Sequence, residues 1–548
     1  MVKNKLNIKI GVDLDNTLIN YDEVFLLGAN ELGLIPLGWH GDKIQIKKYL
    51  HSKDDGATQW QTLQGLVYGK LIEYAKLFDG AYRFLWRCCE REIIVDLVSH
   101  KTEYGHNDFD EIPLRKVAIN FLVSHNILVG KGNFLRNIYF EDTLQNKVLR
   151  IIENRYDYFI DDLPEVLGDI KLPKSLKRIL IGNNEYHPAK NIENLFSWRD
   201  IESRLIGKWT ESELISLAKV ITSKNVIKAN WMEGGGNSSI LKVLLESGEK
   251  FILKFYSNND SHNRLNSEFH SFKLIRENFL DNVPLAFQKD LNFNVAMYEW
   301  IEGNEVKNIN AKHIQQALEF LKSLNELSKL PSFQNFQNAS AAFLSGHEFE
   351  EQLHLRFNVL NKSASSYPKM YDYLHNELSP IMKSIIFWVN SEWRINVLYN
   401  ERLPRCSQTL SPSDFGFHNA IKQINGKLVF IDFEYFGWDD PVKLIADFCF
   451  HPGMKISSKL KKQWISGALK IYGEEILERL RLAWPLIGLS WCLILLNEYR
   501  DDIWSRRCIA NPNKVHRREK ILVTQLNRSR RLLNRINKTY TQPLLDSI

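Results

Sequence analysis

The feature that most constrains this chain is a change of rhythm part-way along it. From Lys5 to Ile206 short β-branched runs alternate with longer amphipathic stretches, the pattern of βαβ units stacked into a parallel sheet. At Ala229–Ser239 that alternation stops in a glycine cluster, G-G-G-N-S-S, two strand-like runs follow, and from Ala311 the text is mostly helical. One hydrophobic core does not organise 548 residues. The expected fold is therefore an α/β Rossmann-like domain over residues 1–205, a linker over 206–224, and a two-lobed α+β domain over 225–548. The second domain divides into a sheet-rich N-lobe at about 225–303 and a helical C-lobe at about 304–548. In the first domain IKIGVDL, EIIVDLVS, IYF, YDYFID and RILIG read as strands. Roughly 75 residues separate the first two, too many for a simple crossover, so a helical cap is expected at about 20–90.

Composition narrows the function classes. Hydrophobic residues at 44% and charged residues at 25% describe an ordinary globular protein. The 71 basic residues are offset by 65 acidic ones, a net +6 that is small for this length and gives no reason to expect nucleic acid. Basic residues do gather from Arg506 through Arg535, where leucines at helical spacing indicate a solvated helix face. The six cysteines form no C-x-x-C pair and no zinc spacing, which fits a reducing cytoplasm. The first residues lack the apolar stretch of a signal peptide. Leu482–Leu496, the most apolar window, is broken by Pro485 and falls short of the roughly 20 residues of a spanning helix, so it reads as a buried core helix and no membrane insertion is expected.

Chemistry concentrates in two constellations. The first strand ends in D-L-D-N-T, placing Asp13 and Asp15 at its C-terminal end, where open α/β sheets build their sites. A carboxylate can attack phosphorus, and a neighbour that carries a proton can protonate the leaving alkoxide and later activate water. Ser99 closes the second strand, Lys147 begins a helix, and Asp161 and Asp162 close another strand. The hydroxyl can bind a phosphate oxygen, the lysine can balance the negative charge, and Asp13, Asp15, Asp161 and Asp162 are candidate oxygen ligands for Mg²⁺. Asp13-Leu14-Asp15-Asn16-Thr17, Ser99, Lys147 and Asp161-Asp162 together resemble the four motifs of the haloacid dehalogenase superfamily over about the first 200 residues. That resemblance implies a Mg²⁺-dependent phosphohydrolase with Asp13 as nucleophile and Asp15 as general acid and base. Lys116 and Lys131 are alternatives to Lys147.

In the second domain the glycine-rich hairpin, with Gly235, Gly236, Ser238 and Ser239, can approach phosphates closely. Lys254 lies in the apolar run KFILKFY and needs a partner if buried, for which Glu268 on the following helical stretch is placed. S-P-S-D-F-G-F-H-N followed by L-V-F-I-D-F-E puts Asp414 and Asn419 five apart, with Asp432 closing the next strand. Phosphoryl transfer asks for such a set, one carboxylate to take the acceptor proton and an Asn/Asp pair for Mg²⁺. The pattern resembles the protein-kinase-like fold, and within it the aminoglycoside phosphotransferase and choline kinase group, over roughly residues 225 to 510. The resemblance implies ATP as cofactor, Lys254 on its α- and β-phosphates, Glu268 as that lysine's helix partner, Asp414 as base, and Asn419 and Asp432 as metal ligands. It also makes Met297–Gly303, with Glu299, the hinge that receives adenine. Where that group carries H-G-D this chain has Ser411, Pro412 and Ser413 ahead of Asp414. His418 reads as structural packing, and Trp438 and Trp491 as core residues or pocket walls.

A kinase and a phosphatase on one chain must differ in position, substrate or timing, or they would consume ATP to no effect. The expected pairing acts on a sugar or polyol phosphate in sequence, with a phosphate ester and a hydroxyl acceptor as substrates, as in surface-polysaccharide precursor synthesis. The alternatives are a phosphatase controlled by a catalytically weak kinase-like sensor, or an amino-alcohol kinase with an attached phosphatase.

Overall fold

The structure is a computed structural model that describes residues 8–36, 38–39, 41–105, 111–182, 191–232, 238–256, 262–394, 398–501, 503–504 and 517–546. The chain divides into two compact units, Met1–Leu217 with Leu291–Phe293, and Ala218–Asp290 with Asn294–Ile548.

The first unit is built on a six-stranded parallel sheet. Its spatial order is Asn137–Glu141, Ile94–His100, Lys9–Val12, Tyr158–Asp161, Lys177–Ile181, Ile192–Leu195. The chain starts in the middle, builds outward to one side, then returns and builds to the other. The reversal falls between Lys9–Val12 and Tyr158–Asp161, and open sheets of this kind place their sites at such a point, beyond the strands' C-terminal ends. Lys9–Val12 lies buried between two neighbours, and a Cβ at Gly11 would come within 2.5 Å of the Phe159 ring, so only glycine allows that packing. Ile192–Leu195 forms a sixth strand that the sequence reading lacks; its I-E-N-L carries no β-branched run beyond Ile192.

The long insertion leaves and re-enters through a two-stranded neck, Ile19–Asn20 against Lys76–Leu77, and holds helices Asp22–Glu31, Lys43–His51 and Gly56–Tyr68. It ends before residue 90. Helix Ala81–Glu90 packs on strand Ile94–His100 and on helix Trp198–Leu205, burying Tyr82, Phe84, Leu85, Trp86 and Cys88. From the same helix Arg87 places a buried guanidinium between Glu202 (2.8 Å) and Glu213 (3.1 Å), and Arg91 joins Glu213 at 2.7 Å. Glu213 belongs to helix Glu211–Thr222, so the stretch read as a linker over 206–224 is largely helical.

The second unit opens with a five-stranded antiparallel sheet in the order Ala286–Asp290, Val295–Glu299, Lys250–Phe255, Ser239–Leu245, Val226–Trp231, and helix Arg264–Glu277 packs against it. A larger helical lobe follows, with helices Ala311–Leu327, Gly346–Ala364, Ser379–Glu392, Pro441–Phe450, Ser458–Tyr472, Leu477–Ile494 and Arg518–Thr539 among its elements. Within it, hairpin Ala420–Lys422/Leu428–Phe430 and the pair Thr409–Ser411/Gly437–Asp439 carry the acidic motifs to one place. Among the described residues one helical stretch, Glu474–Tyr499, is long and apolar enough to cross a membrane, and 78% of its most apolar window is buried inside the fold. Helix Arg518–Thr539 turns Leu522, Leu526, Leu532, Leu533 and Ile536 into that core. Of its basic residues, Arg530 makes a paired contact with Glu377 at 2.7 and 2.8 Å.

Candidate active sites

In the first unit the backbone of Asp13 continues the sheet by donating to the Ile160 carbonyl, and the chain then turns through Asn16 at φ 61°. Lys147 projects from helix Leu144–Asn154, whose N-cap Thr143 accepts from the Asn146 N–H. Its ammonium donates to Asp13 Oδ1 at 2.7 Å and to Asp161 Oδ2 at 2.6 Å, all three side chains being buried. Lys116 and Lys131 are exposed. Burial raises the pKa of Asp13, Lys147 lowers it, and Asp161, Asp162 and Asp15 raise it again. Burial and the charge of Asp161 push Asp162 up to about 7, against the pull of Lys43 and Lys147.

Three carboxylates, Asp13, Asp161 and Asp162, bring oxygens within 4.8 Å of one another around this single lysine. That excess of hard oxygen donors suits Mg²⁺. Asp15 stands outside the group, which corrects its assignment as a ligand: its carboxylate is held by Lys101 at 2.8 Å and by the Tyr21 hydroxyl at 2.8 Å. The strand ends at Val12, so Asp13 and Asp15 do not share a strand face. Ser99 lies at the end of its strand with its hydroxyl buried and without a hydrogen-bond partner among the described residues.

Lys101, two residues after Ser99, went unread in the sequence, although S-H-K at a strand end was a usable signal. Lys43 of the insertion also went unread; burial pushes its pKa down while Asp162, Asp15, Asp22 and Asp13 pull it up. Nothing in sequence spacing links it to those residues.

In the second unit Lys254 is buried and donates to Glu268 at 2.6 Å and Asp432 at 2.5 Å, with Glu434 3.5 Å away. Burial lowers its pKa, but Asp432, Glu268 and Glu434 outweigh that and hold it firmly as an ammonium. Burial pushes Glu268 up to about 7 against the pull of Lys254. Glu434 is a further member that the D-F-E spacing shows and the sequence reading left without a role; the Ser238 hydroxyl donates to it at 2.8 Å. Asp432 adopts φ 68°, a left-handed conformation that aspartate tolerates better than most residues.

Asp414 is set by a tight loop. The Ser413 N–H donates to Ser411 Oγ, and the Ser413 hydroxyl to the Ser340 carbonyl, so the serines ahead of Asp414 fasten the loop themselves. Asn419 gives its amide N–H to the Asp414 carbonyl at 3.0 Å and accepts the Ile431 N–H on its own carbonyl, which brings it beside Asp432. With its NH₂ committed, its amide oxygen is left for a cation, and the Asn419/Asp432 pair thus offers Mg²⁺ oxygen donors.

His418 is not mere packing. Its Nε2 lies 2.9 Å from Asp414 Oδ1, His451 Nε2 lies 3.6 Å from the same atom, and the two rings stack at 3.7 Å. Burial raises the Asp414 carboxyl, but the bond from His418, the electrostatic pull of the His418 and His451 rings and the bond from Asn419 outweigh it and hold the group below the usual range.

Other expected contacts are placed elsewhere. Ser239 pairs with Phe255 and Glu299 with Phe251, so both share the sheet face opposite Lys254, because side chains alternate along a strand. Glu299 accepts from the Leu285 N–H instead. Gly235 and Gly236 lie outside the described residues. Trp438 is buried and donates to the Phe333 carbonyl, a core role, whereas Trp491 stands edge-on to His451 at 5.0 Å.

No protein-family model and no curated protein matches the chain. Among solved structures it is similar to a spectinomycin phosphotransferase bound to ADP and spectinomycin, at 14% identity and TM-score 0.44, covering 62% of this chain and 99% of that one. A Plasmodium vivax ethanolamine kinase is 14% identical with TM-score 0.36, covering 55% and 82%. A Streptococcus pneumoniae choline kinase is 13% identical with TM-score 0.39, covering 58% and 98%.

Proposed function

We propose that the first unit is a haloacid-dehalogenase-type phosphohydrolase and the second an ATP-dependent small-molecule kinase of the aminoglycoside phosphotransferase and choline kinase kind. The observation that carries the reading is the same in each: a buried lysine clasped by carboxylates from separate elements, Lys147 by Asp13 and Asp161, and Lys254 by Glu268 and Asp432.

In the first unit an Asp13 oxygen attacks phosphorus while the bond to the leaving oxygen breaks, and that oxygen takes its proton by way of Asp15. Water then attacks the aspartyl phosphate, Asp15 takes the water's proton, and Asp13 is released with inorganic phosphate. Lys147 offsets the charge of Asp13, the Ser99 hydroxyl donates to a phosphoryl oxygen, and Lys101 and Tyr21 orient Asp15. Mg²⁺ held by Asp13, Asp161 and Asp162 would supply positive charge against the incoming phosphate.

In the second unit Asp414 accepts the acceptor's hydroxyl proton as that oxygen attacks the γ-phosphorus, and ADP leaves. Lys254 binds the α- and β-phosphates, and Asn419 and Asp432 would hold Mg²⁺. The substrate we propose is a sugar or polyol phosphate that gains one phosphate and loses another, as in surface-polysaccharide precursor synthesis. Incubation with Mg-ATP and a panel of sugar phosphates, followed by phosphorus NMR, should show a bisphosphate or a shifted phosphate. Neither species appearing would remove the sequential reading. The serines ahead of Asp414 favour a second reading, a nucleotide sensor that controls the phosphatase; Asp414→Asn then leaves ATP consumption unchanged.

A further inference from the structure

We propose that Arg356 is an anion anchor in the acceptor site of the second unit, so that the molecule phosphorylated there already carries a phosphate or a carboxylate. This rests on the kinase reading of that unit and names the side chain that recognises the substrate's negative charge.

Arg356 lies on helix Gly346–Ala364. Its Nε is wholly shielded and has no hydrogen-bond partner, and no ion pair engages its guanidinium among the described residues. Burial pushes its pKa down, Asp447 pulls it up, and Arg500 adds repulsion. Asp447 cannot neutralise it, because that carboxylate is already occupied: Trp491 Nε1 donates to Oδ1 at 2.7 Å and Lys443 lies 2.9 Å from Oδ2. Trp491 in turn stands against His451, and His451 faces Asp414. Helix Gly346–Ala364, which carries Arg356, packs on helix Leu477–Ile494, which carries Trp491, so the contacts that begin at the group taking the acceptor's proton end on the helix against which this half-buried guanidinium's own helix is packed.

Leaving such a charge unpaired costs the fold stability, and a guanidinium fork is the group best shaped to receive the two oxygens of a phosphate or carboxylate.

The test uses the full chain in three forms, wild type, Arg356→Gln and Arg356→Lys. Thermal unfolding is followed with and without inorganic phosphate. Phosphate binding at the first unit is common to all three, so their differences isolate Arg356. Phosphate should raise the Tm of wild type and of Arg356→Lys more than that of Arg356→Gln, which should be at least as stable as wild type in phosphate-free buffer. Equal shifts in wild type and Arg356→Gln would overturn the proposal.

A second arm measures ATP consumption with glucose, glucose 6-phosphate, glucuronate and choline. The phosphorylated or the carboxylated sugar should be preferred, which also separates the two anions, and Arg356→Gln should raise its KM about tenfold or more with KM for ATP unchanged. Glucose or choline used equally well, with no effect of Arg356→Gln, would sink the anchor and leave the kinase reading standing. A phosphate-dependent Tm difference with no transfer to any acceptor would sink the kinase reading and leave the anion site.

Discussion

Asp414 is bonded by the His418 imidazole at 2.9 Å, with His451 3.6 Å away, and that contact has a measurable consequence. Without the 2.9 Å bond from His418, Asp414 is free to turn from the acceptor hydroxyl. His418→Ala should lower kcat about 10- to 100-fold with KM for ATP unchanged, and His418→Asn, which keeps an N–H donor, should restore part of it in steady-state assays. Lys101→Met should lower phosphatase kcat by about tenfold or more, because Asp15 loses its 2.8 Å partner, while Mg²⁺ dependence is unaltered. The sequence made Asp13, Lys147 and Asp161 legible because each closes a strand or opens a helix, positions that local pattern reveals. Lys254 and Glu268 were legible because a lysine in an apolar strand demands a partner. Lys43 and His451 are not legible, since their roles arise only where distant elements converge, whereas Lys101 stands in the local signal S-H-K at a strand end. The side-chain face of Ser239 and Glu299, opposite Lys254, is not legible for a different reason: strand register, which decides the face, is not written in a single strand's sequence.

At the scale of elements, helix Glu211–Thr222 is tied to helix Ala81–Glu90 through Glu213. Burial raises the Glu213 pKa, but bonds from Arg91, Arg87 and the Thr210 N–H outweigh it and bring it to about 2, below the ordinary 4.5. A depressed carboxyl stabilises the fold above its unfolded value near 4.5 and loses that contribution as pH falls toward 2. Glu213→Gln should therefore cost about 3 kcal/mol at pH 7, with the gap to wild type narrowing below pH 4.5 in denaturant titrations. Gly11→Val should destabilise the first unit by about 1–3 kcal/mol, read as a lower Tm, because its side chain meets Phe159 and Tyr156. Strands with β-branched runs were legible element by element. The strand Ile192–Leu195 and the end of the insertion near Leu77 were not, because pairing partners rather than composition define them.

For the whole molecule, the change of rhythm at Ala229–Ser239 announced two folds, and the described structure divides at Leu217/Ala218. Each unit holds its own carboxylate-and-lysine centre, and the proposed function therefore predicts two activities that depend on different named residues. The direct measurement follows ATP and a phosphate-ester substrate together by phosphorus NMR in wild type, Asp13→Asn and Asp414→Asn. Asp13→Asn should lose release of phosphate from the ester by about 1,000-fold or more while still converting ATP to ADP, and Asp414→Asn should do the reverse. An Asp13→Asn protein that still hydrolyses the ester, or an Asp414→Asn protein that still transfers phosphate from ATP, would contradict the account.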